Sequence, residues 1–451
     1  STSANEAAIA IGARSSASGR SSTALGDNTT ATGFGGAVAI GANATSTGGT
    51  STAVGSGSKA TNSLSTAIGT AANASSAGAS SLGYSAKASG LQSTALGSCA
   101  TASGSQAIAI GFLSQANKNT AVAMGQTAKA TGNLATALGA NTTAQGLSSV
   151  ALGFSANGLA TQSTALGSNA TVNANGFAAT AVGSRAKANG SFATASGYQA
   201  NASNLQTTAV GTNATANSCY ATALGAGSAA NAYSATATGY QATASGQYGS
   251  AFGTSANAAA GNSTAIGSYA NSNDTNATAL GYFAAAEAAN ATALGTGSTA
   301  NGVNAIAIGI DSIANSTGSI AIGTANARAG SAIAMGAGAN ASESSAVAIG
   351  ASSKAGGYGA IALGLAANAD GGYSTAIGIE TSAAGSSATA LGSYAIGSGN
   401  YATAVGYAAK ANSEGSIALG SNASSANTSA IAIGENAAAP GRFATAVGTR
   451  S

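Results

Sequence analysis

The sequence has no histidine and no tryptophan, one proline, two cysteines and little charge: 5% of its 451 residues are Asp, Glu, Lys or Arg, with a formal net charge of +3. Each shortage excludes a class of protein. Without histidine, the side chain best placed for acid–base work and metal binding near neutral pH is missing. The acids stand far apart along the chain, so no general acid/base pair can be placed. Two distant cysteines cannot build a zinc site. A single proline, Pro440, beside 66 glycines rules out collagen. No apolar run reaches the roughly eighteen residues of a membrane-spanning helix. The charge is too sparse to leave a basic footprint for nucleic acid. No glycine string is followed by lysine in P-loop order, and the Asp-bearing nonapeptide of calcium-binding β-rolls is absent. These absences point away from an enzyme, a metal or any other cofactor, and toward a structural or binding surface.

What is present is one motif. Ala305-Ile306-Ala307-Ile308-Gly309 recurs as Ala-(Thr/Ile/Val)-Ala-(Ile/Leu/Val)-Gly in thirty-two copies, ending at Gly12, Gly26, Gly41 and so on to Gly448. Twenty-eight of the thirty-one intervals are fourteen residues; the others are Gly26 to Gly41 (fifteen), Gly167 to Gly183 (sixteen) and Gly323 to Gly336 (thirteen). Such a phase marks a repeat architecture. It argues against disorder, which the low charge and small side chains would otherwise allow. No linker or composition shift interrupts it, so residues 1–451 are expected to form one continuous domain. The pattern already runs at Ser1 and still runs at Ser451, which suggests a segment of something longer, without a signal peptide.

The coil can be read from Gly183 to Gly197. Ala186-Lys187-Ala188 and Ala193-Thr194-Ala195-Ser196 alternate with period two, which is the signature of strand; this much glycine would weaken a helix. Gly183 and Gly190 stand at the corners, where positive φ or a close backbone approach is needed. The expectation is an all-β parallel β-solenoid: strand, turn, strand, turn, about fourteen residues per coil. The residue two before each repeat glycine is Ala in all copies but one, Ser81. Ala also dominates three and five residues after the glycine. An interior that admits only methyl groups explains this, since larger side chains would overpack it.

The residue directly before the glycine then points outward, yet it is almost always Ile, Leu or Val; only Ser196 and Thr238 are polar. Two residues earlier, on the same face, stand Thr, Ile or Val. Thirty-two layers at about 4.8 Å would make a rod roughly 150 Å long, with an apolar stripe on the order of 1,500 Å². Monomers rarely expose more than a few hundred Å² in one patch. Identical chains packed in parallel about a common axis would cover it, although the pattern alone leaves two, three or four chains open. The residues expected in that shared core are Ile9, Ile11, Ile40, Ile108, Ile110, Ile306, Ile308, Ile320, Ile322, Ile349, Leu363, Ile431 and Ile433.

The other strand should face water, with Lys59, Lys87, Lys129, Lys187, Lys354 and Lys410 four residues after the glycine. Arg328 falls on an inward position when counted forward, but on an outward one when counted back from Gly336 across the thirteen-residue repeat. The extra residues of the two long repeats fall in the second turn, at Thr32-Gly33-Phe34-Gly35-Gly36 and Asn173-Ala174-Asn175-Gly176-Phe177, and should bulge without breaking the stack. Cys99 and Cys219 lie too many coils apart for a disulfide. Aromatics gather at the turns: Tyr84, Tyr198, Tyr240, Tyr282 and Tyr407 directly follow a repeat glycine, and Phe192, Tyr220, Tyr248 and Tyr373 sit in the second turn. Two readings fit them. They fill grooves between neighbouring chains, or they form a ladder of aromatic contacts for an extended ligand, with Tyr84, Tyr198, Tyr240, Tyr282 and Tyr407 as the candidate contacts.

Ser345-Ala346-Val347-Ala348-Ile349-Gly350-Ala351-Ser352-Ser353 and Ser319-Ile320-Ala321-Ile322-Gly323 resemble the head repeat of the trimeric autotransporter adhesins, the YadA-like head, whose motif runs close to Ser-Val-Ala-Ile-Gly-x-x-Ser. The resemblance covers essentially the whole chain, although Thr often stands where the motif has Val. It implies a left-handed parallel β-roll in a parallel homotrimer on the outer membrane of a Gram-negative bacterium. It also implies a head that binds host cells or extracellular-matrix proteins and mediates autoagglutination, with a role in virulence. The family's neck, coiled-coil stalk and membrane anchor are not in this segment. Two other functions are open to such a solenoid: a passive spacer that projects another tip, and an ice-binding face built on the recurrent Thr.

Overall fold

A computed structural model describes residues 1–3 and 6–451. The chain is all-β, and among the described residues there is no helix. Two-residue and three-residue strands alternate from Thr2–Ser3 to Thr445–Val447, giving a parallel β-solenoid of about 32 coils of about fourteen residues. Packing divides the chain into two compact units, Ser1–Ser228 and Ala229–Ser451.

In the first unit, the short strand Lys187–Ala188 and the longer strand Thr194–Ser196 make one coil. Each pairs in parallel with its counterpart one repeat away: Lys187 with Asn201, and Thr194, Ala195 and Ser196 with Thr208, Ala209 and Val210. Two tight turns close the coil, with the Ala186 N–H donating to the Gly183 carbonyl and the Ala193 N–H to the Gly190 carbonyl, both at 3.2 Å. The turns also bond along the stack, as Gln199 N–H does to Ser184 O. Backbone donors and acceptors are thus satisfied by neighbouring coils, as buried backbone requires. The second unit repeats the scheme, for example in the parallel rows Ile306, Ile320, Ile333 and Ile308, Ile322, Met335.

The core is alanine. Ala186, Ala188, Ala193 and Ala195 are all 0% exposed, so four inward positions per coil meet across a space one methyl deep on each side. Val172 is the largest fully buried side chain. It fits because its partner in the neighbouring coil is Gly158, and because the long turn beside it carries Gly176, whose added Cβ would come within 2.6 Å of Val172 Cγ1. The irregular repeats keep their register. Thr23 pairs with Val38 and Thr164 with Thr180, while the short strands on the other side of those coils stay fourteen apart, so the extra residues do lie in the second turn. The thirteen-residue repeat loses its residue in the first turn, between Ile322 and Asn326, and Arg328 faces solvent.

The corner glycines meet the two needs expected of them, and positive φ extends beyond them. Gly183 has a φ of +121° and also leaves no room, since an added Cβ would lie 2.6 Å from Gly197 O. Gly190 is needed for close approach, with an added Cβ 1.9 Å from Asn204 O. The left-handed residues of the same coil are Arg185 (φ +59°) and Phe192 (φ +58°), the third residue of each turn. A bond from first to fourth residue with positive φ at the third is the type II turn pattern.

Candidate functional site

A stack of near-identical coils presents faces rather than a cleft, so the candidate site is a surface. The first face is built by the longer strands. Their central Ala points in, and the residues on either side point out, because successive strand side chains alternate. In the isolated chain the outer row is open to solvent in both units: Ile11 is 58% exposed, Leu82 45%, Ile349 39% and Ile433 38%. Of the residues expected in a shared core, Ile9, Ile11, Ile349 and Ile433 are exposed; Ile40, Ile108, Ile110, Ile306, Ile308, Ile320, Ile322, Leu363 and Ile431 are half-buried against their row neighbours. Within each unit they lie on the face of the longer strands. Around Ser80, Ser81 and Leu82 the face dips into a depression of about 230 Å³ walled by Thr66, Ile68, Thr94 and Leu96.

The second face is built by the short strands and is polar. Amides form ladders along it, as Asn257 Nδ2 does to Asn271 Oδ1 at 2.8 Å and Asn301 Nδ2 to Asn315 Oδ1 at 2.9 Å. Lys59, Lys87, Lys129, Lys187, Lys354 and Lys410 all stand exposed on it. Lys354 Nζ pairs with Asp370 at 2.8 Å. Partial burial raises the Asp370 pKa, but hydrogen bonds from Lys354 and Asn368, with the charge of Lys354, outweigh it and hold the carboxyl below its ordinary value. A groove of about 470 Å³ lies on this face, lined by Asn169, Arg185, Lys187, Gln199, Asn201, Asn213 and Thr215. Neither the groove nor the amide ladders were singled out from sequence; the recurrence of Asn four and six residues after the repeat glycine was the available signal.

The turns carry the aromatics. Tyr84, Tyr198, Tyr240, Tyr282 and Tyr407 are all exposed. Rings associate within and between coils: Tyr269 stacks on Phe283 of the next coil at 4.8 Å, Tyr282 meets both edge-on, and Tyr394 meets Tyr407 at 5.7 Å. Tyr198 instead accepts a hydrogen bond from Arg185 at 3.2 Å. The structure thus gathers Tyr282 and Tyr407 into local ring clusters. Cys99 and Cys219 are both free and half-buried. Among the described residues, no group of three or more His, Cys, Asp or Glu could hold a metal ion, and no helix is long and apolar enough to cross a membrane.

Comparison with known proteins places this surface in a family. The model of the YadA head domain repeat, two copies long, matches residues 4–29, 35–58, a run of overlapping segments from 74–100 to 202–228, and further segments from 230–253 to 426–451. No curated protein matches the chain. Among solved structures, the collagen-binding domain of the Yersinia adhesin YadA is similar at 24% identity, over 34% of this chain and 71% of that one, with a TM-score of 0.21, too low to bear on the fold. On the recurrence of the two-repeat model along most of its length, the chain belongs to the YadA head domain repeat family.

Proposed function

We propose that the chain is the exposed head of a bacterial surface adhesin, that both units serve as one continuous head domain, and that it works as a parallel homotrimer. YadA-like heads are adhesive, non-enzymatic parts of trimeric autotransporters displayed on the bacterial surface. The observation that supports assembly is the apolar face, which stays open to solvent in both units of the isolated chain; the number three follows the family. Burying each Ile or Leu is worth roughly 1.5–3 kcal/mol, and the same face of another copy matches it in repeat and register. Ile306, Ile308, Ile320 and Ile322 would form the densest part of that shared core. With this face turned inward, the polar sheet and the turns remain outside, repeated along every subunit, to hold host cells or matrix proteins and to draw bacteria together.

Attachment is tested by displaying the chain on a non-adherent bacterium and scoring binding to cultured cells, binding to matrix-coated surfaces, and settling of the suspension. Adhesion above that of the undisplayed strain is expected. Full display with no gain in any of the three contradicts the adhesive reading and favours a spacer.

A further inference from the structure

The small net charge conceals a segregation. From Asn28 to Asn273 there is no Asp or Glu, yet Lys59, Lys87, Lys118, Lys129, Arg185 and Lys187 all lie in that interval. The ten acids of the chain all fall outside it. Within the unit Ser1–Ser228, four of these cations share one outward row of the polar sheet. Lys59 and Lys87 flank Asn73. Thr101 and Gln115 separate Lys87 from Lys129. Thr143, Asn157 and Thr171 separate Lys129 from Lys187. At about 4.8 Å per strand the intervals are about 10, 14 and 19 Å. Lys187 and Arg185 also line the groove described above, beside the amides of Gln199, Asn201 and Asn213. No carboxylate lines it, and Arg185 is held by a neutral phenol, so both positive charges are left for an external anion.

We infer that this face of the Ser1–Ser228 unit binds an anionic polysaccharide, one with sulfate or carboxylate groups set at intervals along a hydroxyl-rich chain. Three features select this class. The cations are widely spaced, as the charges of such a chain are, whereas duplex DNA carries one charge per roughly 1.7 Å and needs a far denser basic surface. Between the cations stand Asn73, Thr101, Gln115, Thr143 and Asn157, which both donate and accept hydrogen bonds and so suit sugar hydroxyls. The groove has no aromatic lining on which nucleic-acid bases could stack. A row of repeated weak contacts also favours an extended, multivalent ligand. The assignment rests on the adhesive reading and names its ligand class.

The test titrates the purified full chain with a labelled chondroitin sulfate oligosaccharide, with its desulfated and carboxyl-reduced neutral counterpart, and with single-stranded DNA of similar length. One variant carries Lys59→Thr, Lys87→Thr, Lys129→Thr, Arg185→Ser and Lys187→Thr; Thr already occupies this row at Thr101 and Thr143, and an unchanged far-UV spectrum confirms the fold. A control carries Lys354→Thr and Lys410→Thr. The sulfated chain should bind, roughly tenfold more weakly to the five-site variant and unchanged to the control, with the neutral chain and DNA binding less. No binding of the sulfated chain, equal binding by the variant, equal loss in the control, or DNA binding as tightly as the saccharide each overturns the assignment. If it falls while displayed chain still attaches to cells, the adhesive reading stands without it.

Discussion

Thr50 holds a φ of +52° at the third position of its turn. A β-branched side chain there crowds the backbone, and the left-handed conformation costs a non-glycine residue roughly 1–2 kcal/mol. Asn tolerates it better, and Asn262, Asn276 and Asn290 occupy the equivalent position in other coils. Thr50→Asn should therefore strengthen its coil by about 1 kcal/mol, seen as slower amide exchange around Thr45–Val54 with distant coils unchanged. Asp370 gives a second test at this scale. Its carboxyl pKa is lowered in the folded protein, so its ion pair contributes above the unfolded carboxylate value and is lost as pH falls through the folded one. Lys354→Ala removes the two contributions that lower the pKa through Lys354 and leaves burial opposed only by the Asn368 hydrogen bond, so the Asp370 titration, followed by NMR, should move to higher pH.

One coil is the unit of stability, because each touches only its neighbours. Its interior has no slack: Ala195 is 0% exposed and faces three other buried methyl groups of its coil. Ala195→Leu should overpack it by about 1–3 kcal/mol, and exchange protection should fall around Ala181 and Ala209 while coils far along the stack keep theirs. That much was legible in advance. A buried position that tolerates only a methyl group shows up as alanine in copy after copy, and a strand's period of two then assigns every other side chain. The left-handed turn positions were not legible, because they hold Arg185, Phe192, Cys99 and Tyr220 as readily as Asn. The turn's hydrogen bond and the stacking of the next coil impose the conformation there, and no residue type marks it. The groove was hidden for a similar reason: Arg185 and Lys187 belong to ordinary positions of one coil, and only the register sets them beside Gln199, Asn201 and Asn213.

For the whole molecule, the dominant fact is the imbalance between its two sheets. One is polar, laddered by amides and at ease in water; the other presents Ile, Leu and Val in both units. Ile308→Asp with Ile322→Asp puts two carboxylates in adjacent coils of one row of the apolar face. Inside an assembly they would be buried without partners, and they should separate the subunits. Lys187→Ala, on the opposite sheet, should leave assembly as it was. Sedimentation equilibrium of the unaltered chain measures the central claim most directly. A mass of three chains, falling toward one in the Ile308→Asp, Ile322→Asp variant, is the result expected; a well-folded, soluble monomer of the unaltered chain would contradict it.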